Sequence, residues 1–215
     1  KIKAAKYLSS YIHHSICNEH SSIWIAQREG RAKDGCDKTN SAVLGMIALN
    51  KPKTEDLSSY IRQLRIVPVS ISYELDPCDA AKARELYMQR TQGSYQKEEH
   101  EDVKSIAMGI AGDKGNVHLA FGDILDGDYA DTDELVAALD KQILGNYVLH
   151  ATNCIAYEML HGKVPTVNYG VNNTPYNPAT LTAEKAAFAY SAPQKFIPPK
   201  DRNGLSKGFL SCPAL

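Results

Sequence analysis

Three short apolar runs, separated by stretches of helical periodicity, constrain this chain more than any other feature. They are Ile23–Ala26, Ile66–Tyr73 and Val117–Gly122, and each has the length and composition of a buried strand. The stretches between them are long enough for helical crossovers. Strands that alternate with helices imply an α/β protein with a mixed, mostly parallel sheet flanked by helices on both faces. Three strands are few for a self-sufficient sheet, and the chain opens on Lys1-Ile2-Lys3, already inside a helical pattern. We therefore expect an N-terminal part of the domain, with further strands, to precede Lys1.

Ile2, Ala5, Leu8, Ser9, Ile12 and Ile16 recur at helical spacing and predict an amphipathic helix over residues 1–19. Thr39 or Asn40 can cap a second helix that stops before Pro52, and Glu55 to Leu64 reads as a third. Pro68 suits the leading end of its strand, where no ladder donor is needed. Asp79 is a candidate N-cap for one or two helices over residues 80–112. Thr132 is a candidate cap for a long helix over residues 133–147 that can continue through Tyr157. Beyond Gly162 the chain is rich in Asn, Pro and Gly, with a helical patch at Ala183–Tyr190. Residues 1–160 are thus expected to form the α/β domain, and residues 161–215 an extension that wraps it or is partly disordered.

Composition narrows the function classes. A formal net charge of −1 removes bulk attraction to nucleic acid as a default. The five cysteines are scattered, odd in number and without a C-x-x-C pair, which argues for reduced thiols in a cytoplasmic setting and against a zinc site. No apolar run approaches the roughly 20 residues that span a bilayer. His13, His14 and His20 read as solvated helix residues, because adjacent histidines on a helix point apart. Neither a Walker loop, a dinucleotide fingerprint nor a G-x-S-x-G elbow is present.

One stretch has the chemistry of a ligand site. The Ile23–Ala26 run breaks into Arg28-Glu29-Gly30-Arg31, followed by Lys33-Asp34-Gly35. A charged, glycine-containing loop just past a strand end lies where ligands bind in α/β proteins. Arg31 can clamp an anion with its planar fork, Lys33 adds a second positive charge, and Glu29 can hold Arg31. Gly30 permits close backbone approach. Cys36, next to this loop, is a weaker candidate through a lowered thiol pKa. Read alone, the stretch is better taken as a salt-bridged surface turn, and the rest of the chain has to shift that reading.

The run I-W-I-A-Q-R-E-G-R-A-K-D-G, followed by I-V-P-V-S-I-S-Y-E, resembles the last two motif blocks of the glycerophospholipid acyltransferases, the glycerol-3-phosphate and lysophosphatidate acyltransferase superfamily. The resemblance covers roughly residues 15–125 and includes the strand Val117–Gly122 with its exit Asp123-Ile124-Leu125. It implies an acyltransferase-like α/β fold. It also implies that Glu29, Gly30, Arg31 and Lys33 bind the acceptor's phosphate with Arg28 as a helper, and that Pro68 and Val69 shape the acyl side of the cleft. Arg31 follows Gly30 directly, where the family usually interposes a residue.

The implied reaction moves a fatty acyl group from acyl-CoA or acyl carrier protein to a hydroxyl of glycerol 3-phosphate or a lysophospholipid. It needs no cofactor beyond the thioester co-substrate. It does need an H-x-x-x-x-D pair, the His as general base and the Asp orienting it. No such pair precedes the loop here, so the catalytic residues are expected upstream of Lys1. His118 and Asp123 match the pattern literally, but in the wrong order and along a strand, where residues five apart face opposite ways. The alternative is a non-catalytic phosphate- or phospholipid-binding module. The resemblance also implies a cytoplasmic protein peripheral to the inner face of a membrane. Helix 1–19 is expected to pack on the sheet rather than lie on that surface.

Overall fold

The computed structural model describes residues 2–27 and 38–181. About half of the described residues are helical, with small antiparallel sheets. In order it forms α1 (Ile2–Cys17), α2 (Ser41–Ile47) with a 3-10 turn (Ala48–Asn50), α3 (Leu57–Leu64), β1 (Val69–Tyr73), α4 (Asp79–Gln92), α5 (Glu101–Ala111), β2 (Val117–Phe121), α6 (Thr132–Gly145), α7 (Ala151–His161), β3 (Asn168–Tyr169), β4 (Thr174–Pro175) and a 3-10 turn (Pro178–Thr180). Among the described residues, one compact unit comprises residues 2–27, 38–70 and 119–147, and the other residues 71–118 and 148–181.

The expected mostly parallel sheet is not what the described strands form. β1 pairs with β2, and β3 with β4. β3 and β4 are antiparallel, Asn168 opposite Pro175. Around β1 and β2 the bonds run in antiparallel order, Gly122 N–H to Pro68 C=O and Glu74 N–H to Asn116 C=O. The helix count between the strands supplies the reason. A single crossover helix returns the chain for parallel pairing, whereas two successive helices return it for antiparallel pairing. Gly93, at φ +78°, ends α4 in the left-handed region and so divides residues 80–112 into two helices.

Ile23–Ala26 is a further correction, since it forms no strand. Ile23 packs against the core, but Trp24 is 67% exposed and Ile25 is exposed too. An apolar run without a strand partner has no ladder for its backbone groups, and here one side chain of the run serves as an anchor. The helix expected to continue from 133 through Tyr157 is two helices, broken after Asn146 and restarted at His150.

In the first unit the helices form for legible reasons. Asn40 Oδ1 accepts the Ala42 N–H at 3.0 Å and caps α2, and Asp56 Oδ1 accepts the Ser59 N–H at 2.8 Å and caps α3. Asp131, not the neighbouring Thr132, caps α6 by accepting the Asp133 and Glu134 N–H groups at 2.9 and 3.0 Å. Their inward faces meet in one core of Ile12, Leu44, Ile47, Tyr60, Ile61, Leu64, Leu125, Leu135 and Leu139. Ser9 lies fully buried on α1 because its Oγ donates to Ile47 C=O at 2.6 Å and accepts the Asn50 N–H at 2.9 Å. Arg62 on α3 donates to Asp126 C=O at 2.9 Å and Gly127 C=O at 3.2 Å, fixing the chain between β2 and α6.

In the second unit, Cys78 rather than Asp79 is the N-cap residue of α4, and Asp79 lies in its first turn. α7 begins where His150 N–H donates to Asn153 Oδ1 at 2.8 Å, and Thr152 Oγ donates to Glu74 C=O at 2.7 Å. Cys154, Ile155, Tyr176 and Leu181 form a small core.

Candidate functional site

Arg28, Glu29, Gly30, Arg31 and Lys33, with Gly35 and Cys36, lie outside the described residues. The residues on either side of them are well defined. Asn40 N–H donates to Gln27 C=O at 2.9 Å, so the chain entering the charged stretch meets the chain leaving it. One residue earlier, Thr39 makes two hydrogen bonds to a single oxygen. Its N–H donates to Asp140 Oδ1 at 3.0 Å and its Oγ donates to the same atom at 2.6 Å. Thr39 is buried and Asp140 half-buried on α6. The stretch therefore begins and ends at a neck, held by α6 on one side and by the cap of α2 on the other.

Pro68 and Val69 belong to the same unit as this neck. Pro68 is buried and Val69 half-buried. Pro68 immediately precedes β1, and its carbonyl accepts the Gly122 N–H at 2.8 Å. That meets the sequence expectation for a proline at the leading end of a strand, since it accepts a bond and need donate none. Beyond it the strand alternates in an unusual sense. Ser70 and Ser72 are buried, while Ile71 and Tyr73 are exposed.

His118 is half-buried within β2, and Asp123 is exposed beyond the strand's end. Asp123 N–H donates to Gln142 Oε1 at 2.7 Å, which fixes it as a turn residue. The N-terminal histidines have separate settings. His13 stacks on Tyr60 with ring centroids 5.4 Å apart, and His14 lies 3.6 Å from Glu19. Among the described residues no group of three or more His, Cys, Asp or Glu side chains is arranged to hold a metal ion. None of their helices is long and apolar enough to cross a membrane.

Two of the described thiols are poor nucleophiles. Burial pushes the Cys154 thiol up to about 11, and burial followed by the charge of Glu55 raises that of Cys17, so both stay protonated at neutral pH. Cys78 donates to Ser105 C=O at 3.3 Å.

The Thr39–Asp140 pair is the feature of the site that sequence reading misses. Thr39 reads there only as an alternative cap for α2. The available signal is an aspartate in the middle of a helix, directly after the buried-stripe residue Leu139, where helix propensity does not favour it. No protein-family model, curated protein or solved structure matches this chain.

Proposed function

We propose that this chain carries the acceptor-binding part of an acyltransferase that esterifies glycerol 3-phosphate or a lysophospholipid from an acyl thioester. In this reading Arg31 and Lys33 neutralise the acceptor's phosphate, Glu29 holds Arg31, Gly30 allows the backbone to approach, and Arg28 assists. Pro68 and Val69 line the acyl side. The acceptor hydroxyl oxygen bonds to the thioester carbonyl carbon, the carbon–sulfur bond breaks, and the thiolate departs. The hydroxyl proton passes to a general base. No residue between Lys1 and Leu215 is assigned as that base. The transfer needs no cofactor besides the acyl-CoA or acyl carrier protein, and peripheral attachment to the inner face of a membrane fits its lipid substrates.

The observation that carries this reading is the ordered pair of E-G-R-x-K-x-G and, further along, P-V-S-I. The neck at Gln27 and Asn40 supports it, because a phosphate cradle needs both ends of its loop held. Calorimetric titration with glycerol 3-phosphate tests it. Arg31→Glu should weaken binding by at least about tenfold, the scale of one lost charge-assisted hydrogen bond, and leave acyl-CoA binding unchanged. Equal affinity in the variant would overturn the assignment. Phosphate binding with no thioester binding would favour the non-catalytic module.

A further inference from the structure

We infer that α5 carries a self-association surface, on which two copies of this chain pair antiparallel through the stripe Val103, Ile106 and Ile110. The pairing is independent of what the chain binds or transfers.

α5 faces the wrong way for a helix that serves a monomer alone. A surface helix normally buries its apolar stripe and leaves its polar face in water. Here the half-buried residues are Glu101, Ser105 and Gly109, at spacings of four. Ser105 C=O accepts the Cys78 thiol at 3.3 Å, and a Cβ on Gly109 would stand 4.0 Å from the same sulfur. Just past the helix, Gly112 abuts Pro77. Small residues thus hold α5 to the chain at 77–78, while Val103, Ile106 and Ile110 are 63%, 56% and 77% exposed. Those three recur at spacings of three and four, so they share one face. Ala107, exposed beside them, leaves room for a close approach.

The charges at the two ends of α5 select the occupant. Glu98 and Glu99 precede the helix and are exposed, and Glu101 and Asp102 lie in its first turn. Lys114 follows it. Its Nζ donates to Ile110 C=O at 3.2 Å and Gly112 C=O at 3.1 Å, which fixes the cation at the carbonyl end. The neighbouring Asp113 is engaged locally, accepting the Gly115 N–H at 2.9 Å. An anionic lipid surface or a nucleic acid would be repelled by the acidic end. A second copy laid antiparallel brings its Lys114 beside Glu98 and Glu99, twice over by symmetry. The same two-fold axis, near Ile106 and Ala107, sets Val103 against the second copy's Ile110. A parallel pairing would set acid against acid. Three side chains from each copy with a charged rim fall below the roughly 1,200 Å² of stable complexes, so the dimer is weak and concentration-dependent.

Sedimentation equilibrium of the full chain at about 5 and 500 µM tests the pairing. The mass should rise from one chain toward two with concentration. Val103→Glu and Ile106→Glu each put a charge on the stripe. Both should stay monomeric, with Tm at the low concentration unchanged. Charge exchange fixes the direction. A Glu98→Lys, Glu99→Lys double variant and a Lys114→Glu variant should each associate at least about tenfold more weakly than the unaltered chain. Their equimolar mixture should recover the dimer. A single-chain mass at every concentration overturns the inference, as does a dimer that survives both stripe variants. A mixture no better associated than its components overturns the antiparallel arrangement. Vesicles of phosphatidylcholine with phosphatidylserine supply the competing occupant. Vesicle binding that Ile106→Glu abolishes, by a chain that stays monomeric, would assign the stripe to lipid and overturn the pairing.

Discussion

The two units of this chain cohere by different means. The first buries nine core residues from α1, α2, α3, α6 and the segment after β2 around one centre, with Tyr60, Ile61 and Leu135 fully excluded from water. Among the described residues the second has a core cluster of four, with Cys78 and Ala83 buried besides, and α5 contributes none. On that helix Val103, Ile106 and Ile110 share one stripe and are all exposed, Ile110 at 77%. The second unit relies instead on directed bonds and close approaches. Glu74 donates to Asn116 C=O, accepts Thr152 Oγ at its carbonyl, and accepts both the Asn116 N–H and Nδ2 at its carboxylate. Gly112 lies so close to Pro77 that no side chain fits between them. Packing spreads stability over many residues, whereas bonds and close approaches concentrate it at a few. The neck at Thr39 and Asp140 belongs to the packed unit.

The sharpest way to break this contrast is to remove bulk from each unit. Leu135→Ala should cost about 2–5 kcal/mol by urea denaturation, because it leaves a cavity in a closed core. Ile110→Ala should stay within about 0.5 kcal/mol, since its side chain already lies in water. Equal losses at the two positions would show that the core of the first unit is not the main reservoir of stability. Glycines probe the other half of the comparison. A Cβ at Gly112 would sit 2.4 Å from Pro77 Cβ and 2.6 Å from Met108 C=O, so Gly112→Ala should cost about 1–3 kcal/mol. At Gly145, the last residue of α6, nothing lies within 4 Å, and Gly145→Ala should gain about 0.4–1 kcal/mol.

Caps come next in size. Asp131→Ala deprives two backbone N–H groups of their acceptor and should destabilise the first unit by about 1 kcal/mol. Thr132→Ala should be neutral by comparison, although the sequence alone favours Thr132 as the cap. Urea midpoints for the two variants decide between the adjacent positions, and a larger loss at Thr132 would reverse the assignment.

This small disagreement shows where the sequence is legible. Helix existence follows from apolar spacing and from turn residues, so α1, α2, α3 and α6 are all readable, with boundaries off by a residue or two apart from the break after Asn146. Strand pairing is not readable in the same way. Ile23–Ala26, Ile66–Tyr73 and Val117–Gly122 look alike as apolar runs, yet only the last two contain strands. A strand requires a partner's backbone, and the run itself carries no record of one. The direction of pairing depended on whether residues 80–112 held one helix or two, a choice settled at Gly93. Of the candidate site, the charge pattern at residues 28–35 is visible in the sequence. The Thr39–Asp140 pair joins residues about a hundred positions apart, and only the fold brings them together.

The smallest expected effects come from pH, and they again separate the units. In the first, Asp56 is held below the usual carboxylate range, chiefly by the backbone N–H of Ser59 and then by its hydroxyl. In the second, Tyr95 donates to Glu101 at 2.6 Å. That bond lowers the Glu101 carboxyl and pushes the Tyr95 hydroxyl up to about 12. The two wings have opposite signs. A depressed carboxyl contributes stability above its unfolded value and loses it as acid drives pH through the lower folded value. A raised phenol contributes below its ordinary 10.0 and loses that contribution as pH climbs toward about 12. Asp56 has only the acid wing, while the Tyr95–Glu101 pair has both. Asp56 is exposed, and Tyr95 and Glu101 are half-buried at the surface, so solvent screening keeps the shifts in Tm small. Tyr95→Phe should therefore weaken the pH dependence on both wings, measured as Tm against pH, and Asp56→Ala on the acid wing alone. A Tyr95→Phe protein that keeps the unaltered alkaline slope would show that another phenol carries it. Tyr176 is the candidate, raised first by burial and then by its bond to Glu158 at 2.9 Å, and Tyr176→Phe would then remove the slope that Tyr95→Phe left in place.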